Sequence, residues 1–422
     1  MNIPLSSFVH EKLRNNKVIA QNTGYLTIIE CIRLFLPFVA LPYVIRTVGA
    51  ERYGMVAFAQ TIVQYFIIII NFGLDISSVR EVAINRDDKE RLNQIVSTVL
   101  IIKSILLLLS AGLLLGGMLL VPFMREHPLL MSFAFLTCLS EILFPVWYFQ
   151  GMENMKYITI VRSSSILFYT VTVFIFVRQQ SDYELVALLQ SLGNVLAGII
   201  SFYCLFSLER VKLLLPTAAM IRQMFKDALP FWFSRLSVVF NMNLAKTVSG
   251  LFLSMESVAA FDLAHKITNA VLIPTRMLNQ SAYPHISRNQ DRRFATRFVG
   301  FVALIAFGLS LLTCLSAPLL IRLFVGDSMP EAVNILRVFC IFTFTTSIVI
   351  SLGSSMLIPL GHPQPFNTSV ILSTLVLVLI YAGIYLLGIR LSVSLAFALV
   401  LSDLFVLCYR GYYCQKYRLF VR

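Results

Sequence analysis

Long apolar runs alternate with short polar segments along nearly the whole chain. Each run is roughly 20 residues long, which is the length that an α-helix needs to cross the hydrocarbon core of a bilayer. The runs lie at 20–44, 53–75, 96–121, 129–150, 157–177, 184–206, 229–253, 257–283, 297–320, 333–357, 366–388 and 391–413. This pattern predicts an all-α polytopic membrane protein with about twelve transmembrane helices.

The composition agrees with a membrane environment. Of the 422 residues, 58% are hydrophobic and only 13% are charged, whereas about 25% of the residues in a typical soluble domain are charged. The polar start at 1–17 lacks the short apolar core and the small-residue cleavage site of a signal peptide, so we expect the first span to be retained. The cysteines are scattered, without metal-ligand spacing, and we expect neither a metal nor a cofactor.

Lysine and arginine are concentrated in alternate polar segments, beginning with the N-terminal one and including the C-terminal one. Because cytoplasmic loops of membrane proteins carry an excess of these residues, both termini are expected to be cytoplasmic. Much of the net charge of +13 therefore reflects topology, and nucleic acid is not an expected partner.

A basic polar segment at 208–228, which contains Pro216, lies in the middle of the chain. It predicts a division into an N-terminal lobe at 1–207 with helices one to six, a cytoplasmic linker at 208–228, and a C-terminal lobe at 229–422 with helices seven to twelve. The architecture expected from this division is two lobes of about six helices each.

Polar and ionisable residues fall in stripes on four of the predicted spans. At about 100° per residue, the stripe on span eight runs along its whole length within an arc of roughly 80°. Spans one, two and seven carry further stripes, and these four spans occupy corresponding places in the two halves. A water-filled cavity satisfies all of these groups at once; hydrogen bonds that join the helices of the bundle are the alternative interpretation.

The charges in these stripes are mostly positive, so the predicted cavity favours an anion. Arginine and lysine suit phosphate oxygens, and the candidate substrate-binding cations are Arg33, Arg235, Lys246, Lys266 and Arg276. The candidate polar lining consists of Gln60, Gln64, Asn71, Asn269 and Gln280. The candidates for ion coupling are Glu30, Asp262 and Asp403. Structural pairing is an equally good interpretation of these acids, for example between Asp262 and Lys266 four residues apart on one helix.

The chain contains no phosphate-binding loop, metal-ligand cluster or nucleophile with a nearby base, so we do not expect an enzyme. A membrane glycan polymerase or ligase remains an alternative, but it would need a sizeable outer loop, and every predicted outer segment is short. A cation-coupled small-molecule exporter is a second alternative, which an acidic cavity would suit better.

Several short motifs along the whole chain carry a resemblance to a known family. The most specific is Trp147-Tyr148-Phe149-Gln150-Gly151-Met152-Glu153, followed by Met155-Lys156-Tyr157. Shorter ones are Leu41-Pro42-Tyr43, Tyr53-Gly54, Asn71-Phe72-Gly73-Leu74-Asp75, Leu229-Pro230-Phe231, Ala264-His265-Lys266-Ile267 and Tyr283-Pro284. With these motifs the chain resembles the polysaccharide-transporter family of the MATE/MOP superfamily, specifically the Wzx-type O-antigen flippases.

The resemblance implies two six-helix lobes around a cationic cavity lined mainly by helices one, two, seven and eight. It implies a flippase that moves undecaprenyl-pyrophosphate-linked oligosaccharide repeat units, the building blocks of surface polysaccharide, from the cytoplasmic to the periplasmic leaflet of the bacterial inner membrane. The expected partners are this lipid-linked substrate, the membrane lipids and other membrane proteins of polysaccharide assembly, such as a polymerase and a chain-length regulator.

Overall fold

The computed structural model describes residues 36–326, 329–389 and 391–420, the side chains at 155 and 234 excepted. Glu30 and Arg33 of the first predicted span lie outside these ranges. All regular elements in the described ranges are helices, and no strand occurs there. The predicted all-α membrane fold is therefore confirmed for the part of the chain that is described.

The first half of the chain contains helices α1 to α10, and a single π-helical turn at Cys204–Leu208 follows α10. Their bounds are α1 Leu36–Val48, α2 Ala50–Asn71, α3 Leu74–Ile84, α4 Lys89–Leu120, α5 Pro122–Glu126, α6 Pro128–Phe135, α7 Thr137–Leu143, α8 Val146–Gly151, α9 Met155–Phe176 and α10 Tyr183–Tyr203. The predicted span at 129–150 is thus divided into α6, α7 and α8. Pro145 lacks an amide hydrogen and separates α7 from α8.

The second half contains α11 to α17, with a π-helical segment at Leu352–Leu357 after α15. Their bounds are α11 Ala218–Phe252, α12 Met255–Val271, α13 Ile273–Asn289, α14 Arg292–Val325, α15 Pro330–Ser351, α16 Pro363–Leu386 and α17 Ser392–Lys416. The predicted span at 257–283 is interrupted at Leu272, because Pro274 stands in the first turn of α13 and cannot donate a backbone hydrogen bond.

Nine helical segments in the described ranges are long and apolar enough to cross a membrane. They coincide with predicted spans two to six and nine to twelve, so the chain is a multi-pass membrane protein. Helices α11, α12 and α13 occupy the places of predicted spans seven and eight but are less apolar, because they carry the charged and amide side chains of the predicted stripes. The spanning role of these helices, and that of the first predicted span, remains a prediction.

The described chain forms two compact units. Among the described residues, the first unit contains 36–43, 74–178 and 184–227, and the second contains 44–73, 179–183 and those from 228 onward. The division of the chain at 208–228 into two six-helix lobes remains a prediction. Helix α11 begins at Ala218, inside the predicted linker. The residues at its start are too polar to belong to an apolar run, but they are compatible with a helix.

In the first unit, the motif Trp147-Tyr148-Phe149 forms the buried face of α8. The chain turns beyond α8, where Arg86 donates a hydrogen bond of 2.8 Å to the carbonyl oxygen of Gly151. Arg86 also forms an ion pair of 2.6 Å with the exposed Glu153. Both residues lie in segments that connect apolar helices. The guanidinium lowers the pKa of the Glu153 carboxyl below its ordinary value. The most specific sequence motif therefore marks a folded junction between α3 and α8.

The segment after α10 is also fixed within the first unit. The backbone amide of Lys212 donates to the side-chain oxygen of Asn93 at 2.9 Å. The amide of Leu214 donates to the hydroxyl of Ser97 at 2.8 Å. Side chains of α4 thus satisfy backbone groups of a segment that is neither helix nor strand.

In the second unit, α12 and α15 lie at the centre, with α2, α14 and α17 packed around them. Hydrogen bonds between small polar side chains hold α13 to the end of α15 and to the π-helical segment that follows it. Thr275 pairs with Ser347 at 3.1 Å, and Ser355 donates to Asn279 at 2.7 Å. Such pairs are the usual means of joining helices in lipid, where apolar packing alone gives little preference for protein over acyl chains.

Close backbone packing of α2 depends on two glycines. A Cβ atom at Gly54 would lie 1.8 Å from the carbonyl oxygen of Met255 at the start of α12. A Cβ atom at Gly250 of α11 would lie 2.2 Å from the ring of Phe58 on α2. Because the obstacle at Gly54 is backbone, no side-chain rotation can make room for a larger residue. The glycine allows α2 and α12 to approach closely enough for their polar side chains to meet.

We expect Gly54→Ala to destabilise the protein by about 1–3 kcal/mol, the usual cost of overpacking a well-packed contact. The measurement is the thermal unfolding of purified, detergent-solubilised protein, followed by fluorescence-detected size exclusion. Gly112→Ala on α4 is the matched control, because a Cβ atom there would meet no atom within 4 Å. Equal unfolding temperatures for the two variants would contradict the close approach of α2 to α12.

Candidate functional site

One buried carboxylate organises the polar side chains of the second unit. Asp262 lies on α12 and is 3% exposed. Its Oδ1 atom is 3.2 Å from Nζ of Lys246 on α11, and its Oδ2 atom is 2.8 Å from Nζ of Lys266, one turn along α12. Each carboxylate oxygen therefore accepts from a different ammonium group. A buried carboxylate is costly unless it is paired and hydrogen-bonded in this way.

Tyr53 of α2 completes this group of side chains. Its hydroxyl donates to Oδ2 of Asp262 at 2.6 Å and accepts from Lys266 at 2.8 Å. The ammonium group of Lys266 also lies 5.3 Å from the centre of the Tyr53 ring, within the range of a cation–π contact. We call Tyr53, Lys246, Asp262 and Lys266 the Asp262 cluster; it joins three helices, α2, α11 and α12.

Local sequence features place the members of the Asp262 cluster. Gly54 follows Tyr53 and permits the close approach of α2 to α12, as described above. The side chain of Ser254 accepts a hydrogen bond from the amide of Ser257 and so fixes where α12 begins. Further along α2, Tyr65 forms a hydrogen bond of 2.8 Å with Thr247, the residue that follows Lys246 on α11. The register between α2 and α11 is therefore fixed by a second polar contact three turns away along α2 from Tyr53.

The Asp262 cluster holds more positive than negative charge. Two ammonium groups share one carboxylate, and a tyrosine hydroxyl adds no charge at neutral pH. The two lysines differ in accessibility, since the side chain of Lys246 is 14% exposed and that of Lys266 is 41% exposed. The excess positive charge is thus partly accessible through Lys266, and the arrangement suits an anionic group with several oxygens.

A second set of polar side chains extends from α12 to α13. Asn269 contacts the ring nitrogen Nε2 of His265 at 3.3 Å, and its side-chain oxygen accepts from Arg276 at 3.3 Å. His265 also lies beside the rings of Phe261 and Phe339. Arg276 is exposed, so this set adds a further accessible cation on the polar side of α12 and α13.

The predicted site residues are distributed as follows. Lys246, Asp262 and Lys266 meet in the Asp262 cluster, and Asn269 and Arg276 are joined to each other. Exposed side chains occur at Gln64, Arg235 and Gln280, and partly buried ones at Gln60 and Asn71. Asp403 on α17 is instead hydrogen-bonded to the hydroxyl of Thr346 on α15. Glu30 and Arg33 lie outside the described residues.

Tyr53 was not among the residues predicted to form the site. The only signal was its place in the motif Tyr53-Gly54, which gave no reason to pair it with Asp262, more than two hundred residues away in the chain. His265 was also omitted, because a single histidine without a metal or base partner in the sequence gives no functional signal. Both residues become relevant only through contacts between helices.

Arg410 is a buried cation of a different kind. It is 4% exposed and donates to the hydroxyl of Ser369 at 2.9 Å and to the carbonyl oxygen of Val349 at 2.7 Å. Its guanidinium also lies 4.4 Å from the ring centre of Phe366. These neutral partners come from α15 and α16, so Arg410 joins three helices and presents little charge to a ligand.

Solved structures with a similar fold are membrane transporters. A multidrug resistance MATE family transporter of the MOP superfamily, in an inward-facing conformation, matches with a TM-score of 0.71 at 16% identity over 93% of this chain and 98% of its own. The lipid II flippase MurJ, in an inward closed conformation, matches with a TM-score of 0.73 at 12% identity over 93% of this chain and 87% of its own. At these identities the comparison shows the fold, and it confirms the MATE/MOP-like architecture.

Two curated relatives are similar over most of their length, and both are named "Putative O-antigen transporter". The protein from Escherichia coli (strain K12) is 24% identical over 375 residues, which covers 87% of this chain and 90% of the relative. The protein from Shigella dysenteriae is 28% identical over 405 residues, which covers 92% and 98%. Over residues 19–290 the chain matches the model of the family described as "Polysaccharide biosynthesis protein". The chain belongs to this family, which confirms the resemblance indicated by its sequence motifs.

Proposed function

We propose that this protein is a flippase that moves undecaprenyl-pyrophosphate-linked oligosaccharide repeat units from the cytoplasmic to the periplasmic leaflet of the bacterial inner membrane by alternating access. The observation that carries the proposal is the Asp262 cluster, in which two ammonium groups share a single buried carboxylate. Lipid-linked glycans of this class carry their charge on the pyrophosphate, and lysine is a common phosphate ligand.

The family and the named relatives support a transporter without enzymatic activity. The two curated relatives are named as transporters of O-antigen, and the family is one of polysaccharide biosynthesis. A transporter of oligosaccharide repeat units must accept a bulky glycan and cannot rely on a dedicated site for each sugar. The structure fits this requirement in that two cations meet in the Asp262 cluster, whereas the amide side chains are spread along α2, α12 and α13.

The second candidate is a cation-coupled small-molecule exporter of the same superfamily. Its support is the fold match to a multidrug transporter. A cationic drug would require an acidic site, whereas the Asp262 cluster has an excess of positive charge and Arg276 lies on the adjoining helix. The sign of the charge therefore favours the flippase.

In the proposed mechanism, the cations hold the pyrophosphate while the polyprenyl tail stays in lipid and the glycan passes through water. Lys246 and Lys266 are the central ligands, and Arg276, Arg235 and Arg33 belong to the wider cationic set. Gln60, Gln64, Asn71, Asn269 and Gln280 offer hydrogen bonds to sugar hydroxyls. Both termini lie on the cytoplasmic side, and membrane proteins of polysaccharide assembly, such as a polymerase and a chain-length regulator, act on the exported unit.

Among the acids proposed for ion coupling, Asp403 has the most suitable surroundings. Two ammonium groups hold Asp262 in its charged form, which disfavours the uptake of a proton or a metal cation. Asp403 accepts instead from a neutral hydroxyl, that of Thr346. The neighbouring α16 carries no charged residue, and a single positive charge, that of Arg410 seven residues along α17, acts on Asp403. A carboxylate in such a place is stabilised by a bound monovalent cation. Glu30 remains a further candidate.

We expect Lys246→Glu and Lys266→Glu each to abolish the export of surface polysaccharide while the protein still reaches the membrane. Either change replaces an attractive charge by a repulsive one beside Asp262, and like charges at such distances exclude a pyrophosphate group. The measurement is complementation of a flippase-deficient strain, scored by surface polysaccharide and by the amount of protein in the membrane fraction.

The matched control is Lys89→Glu, which makes the same charge change at an exposed position at the start of α4. It should support export at the level of the unchanged protein. Normal surface polysaccharide in the Lys246→Glu and Lys266→Glu strains would refute the assignment of the cationic site.

We also expect Asp403→Asn to uncouple transport from an ion gradient. The amide keeps the size of the carboxyl group and a hydrogen bond to Thr346, but it cannot become charged and so cannot hold a proton or Na⁺. In reconstituted vesicles, a pH or sodium gradient should accelerate flipping of a fluorescent lipid-linked oligosaccharide by the unchanged protein. It should have no effect on the Asp403→Asn protein, whose gradient-independent flipping persists.

Asp87→Asn, at an exposed position between α3 and α4, controls for the loss of one carboxylate. If Asp403→Asn responds to either gradient as strongly as this control does, Asp403 is not the coupling residue.

A further inference from the structure

We infer that Asp262 is a built-in competitor for the substrate anion, a negative group that occupies the two lysines in the empty transporter and must be displaced by the incoming phosphate. This inference rests on the proposed function and deepens it, since it assigns to Asp262 a role opposite to that of the cations around it. It also specifies the ligand that displaces Asp262 best: a lipid-linked group with two phosphate groups.

The geometry of the ion pairs supports competition. The two oxygens of Asp262 each face a different lysine, at 3.2 Å and 2.8 Å, so the carboxylate bridges Lys246 and Lys266 as a phosphate group would. A ligand phosphate that binds both ammonium groups therefore needs the positions that the carboxylate oxygens now occupy. Each ammonium group has three donors, but a phosphate that bridges both lysines as the carboxylate does competes for the donors that now point at Asp262.

The unequal burial of the three charges supports the same conclusion. Asp262 and Lys246 have side chains that are 5% and 14% exposed, whereas 41% of the Lys266 side chain is exposed. An anion can thus reach Lys266 first while Lys266 is still bound to Asp262. Lys266 lies four residues from Asp262 on the same helix, and its long flexible side chain allows it to turn toward the ligand.

Tyr53 stabilises Asp262 during its displacement. Its hydroxyl donates to Asp262 and accepts from Lys266, so Asp262 keeps one donor when Lys266 leaves. A buried carboxylate that lost every partner would be strongly destabilised. The hydroxyl therefore lowers the cost of displacement, and Asp262 can bind Lys266 again when the ligand departs.

Competition of this kind has a consequence for transport. Two lysines without a carboxylate partner would bind a pyrophosphate tightly and would release it slowly, because differences in affinity appear mostly in the dissociation rate. A competing carboxylate weakens binding and provides a partner for the lysines at release. A diphosphate carries more negative charge than a monophosphate and has two phosphate groups, one for each lysine, so it displaces Asp262 more readily than a monophosphate does.

The test compares the unchanged full-length protein with Asp262→Asn and Lys266→Met in detergent solution. The probes are farnesyl diphosphate and farnesyl monophosphate, and binding is measured by isothermal titration calorimetry. The unchanged protein should bind the diphosphate more tightly than the monophosphate. Asp262→Asn should bind the diphosphate about tenfold more tightly, as expected from removing one charged hydrogen-bonding competitor, while Lys266→Met should bind it about tenfold more weakly.

Transport should change in the opposite direction from binding for Asp262→Asn. We expect its rate of flipping in reconstituted vesicles to fall severalfold although its affinity rises, since release becomes slow. A purely structural role of Asp262 would instead lower both affinity and transport. Asp87→Asn should change neither quantity.

The outcomes separate the inference from the proposed function. If the unchanged protein binds neither farnesyl probe, both are overturned. If it binds the diphosphate but Asp262→Asn binds no more tightly, the competitor role is wrong and the cationic site stands. Because Asp262→Asn leaves two lysines unneutralised and can impair folding, Tyr53→Phe serves as a second variant that changes no charge.

Tyr53→Phe removes the donor that stabilises the displaced carboxylate. It should therefore slow the exchange between Asp262 and the ligand, which lowers the association rate of farnesyl diphosphate severalfold in stopped-flow measurements with the folded protein. An unchanged association rate in this variant would overturn the assignment of Tyr53 and, with it, the displacement of Asp262.

Discussion

The pairing of Asp262 with two lysines is the interaction on which the polar architecture of the second unit depends. A carboxylate that is 3% exposed among membrane helices cannot remain charged without partners. Its partners come from α11, α12 and α2, so these three helices must keep one relative position for the charges to be satisfied. The need to neutralise one carboxylate thereby fixes the contacts among α2, α11 and α12.

This constraint explains the use of small residues around the cluster. Gly54 permits a backbone approach that any side chain would prevent, and Gly250 makes room for the ring of Phe58. Hydrogen bonds between tyrosine, aspartate and lysine require distances near 3 Å, and helices separated by large side chains would hold these groups too far apart. Small residues and charged residues are therefore parts of the same arrangement, although they are separated in the sequence.

The sequence predicted the all-helical fold and most of the spans. These predictions succeeded because hydropathy and helical periodicity depend on neighbouring residues only. Helix interruptions were harder to place. The break at Leu272 depends on Pro274, and proline occurs both inside and between helices of this chain, as Pro230 within α11 shows.

The partners of the charged residues could not be predicted, because they depend on contacts between distant parts of the chain. Asp262 and Lys266 were expected either to line a cavity or to neutralise each other as an i,i+4 pair, and the structure shows the pair with Lys246 and Tyr53 added to it. Asp403 is bound to a threonine two helices away in the sequence. Periodicity shows which face of a helix is polar, whereas the identity of the opposing residue requires the tertiary structure.

Arg410 and Lys266 show why a charge within a span does not by itself identify a binding site. Arg410 is almost fully buried, and its hydrogen bonds and ring contact are with neutral groups of the helix framework, a hydroxyl, a carbonyl and an aromatic ring. A ligand could reach it only by separating three helices. Lys266 is partly exposed and is bound to Asp262, which has other partners. An anion can therefore replace Asp262 at Lys266 without moving the backbone. A cation is available for binding when it is both accessible and held by a partner that can be replaced, and among the described cations near Asp262 this condition is met best by Lys266.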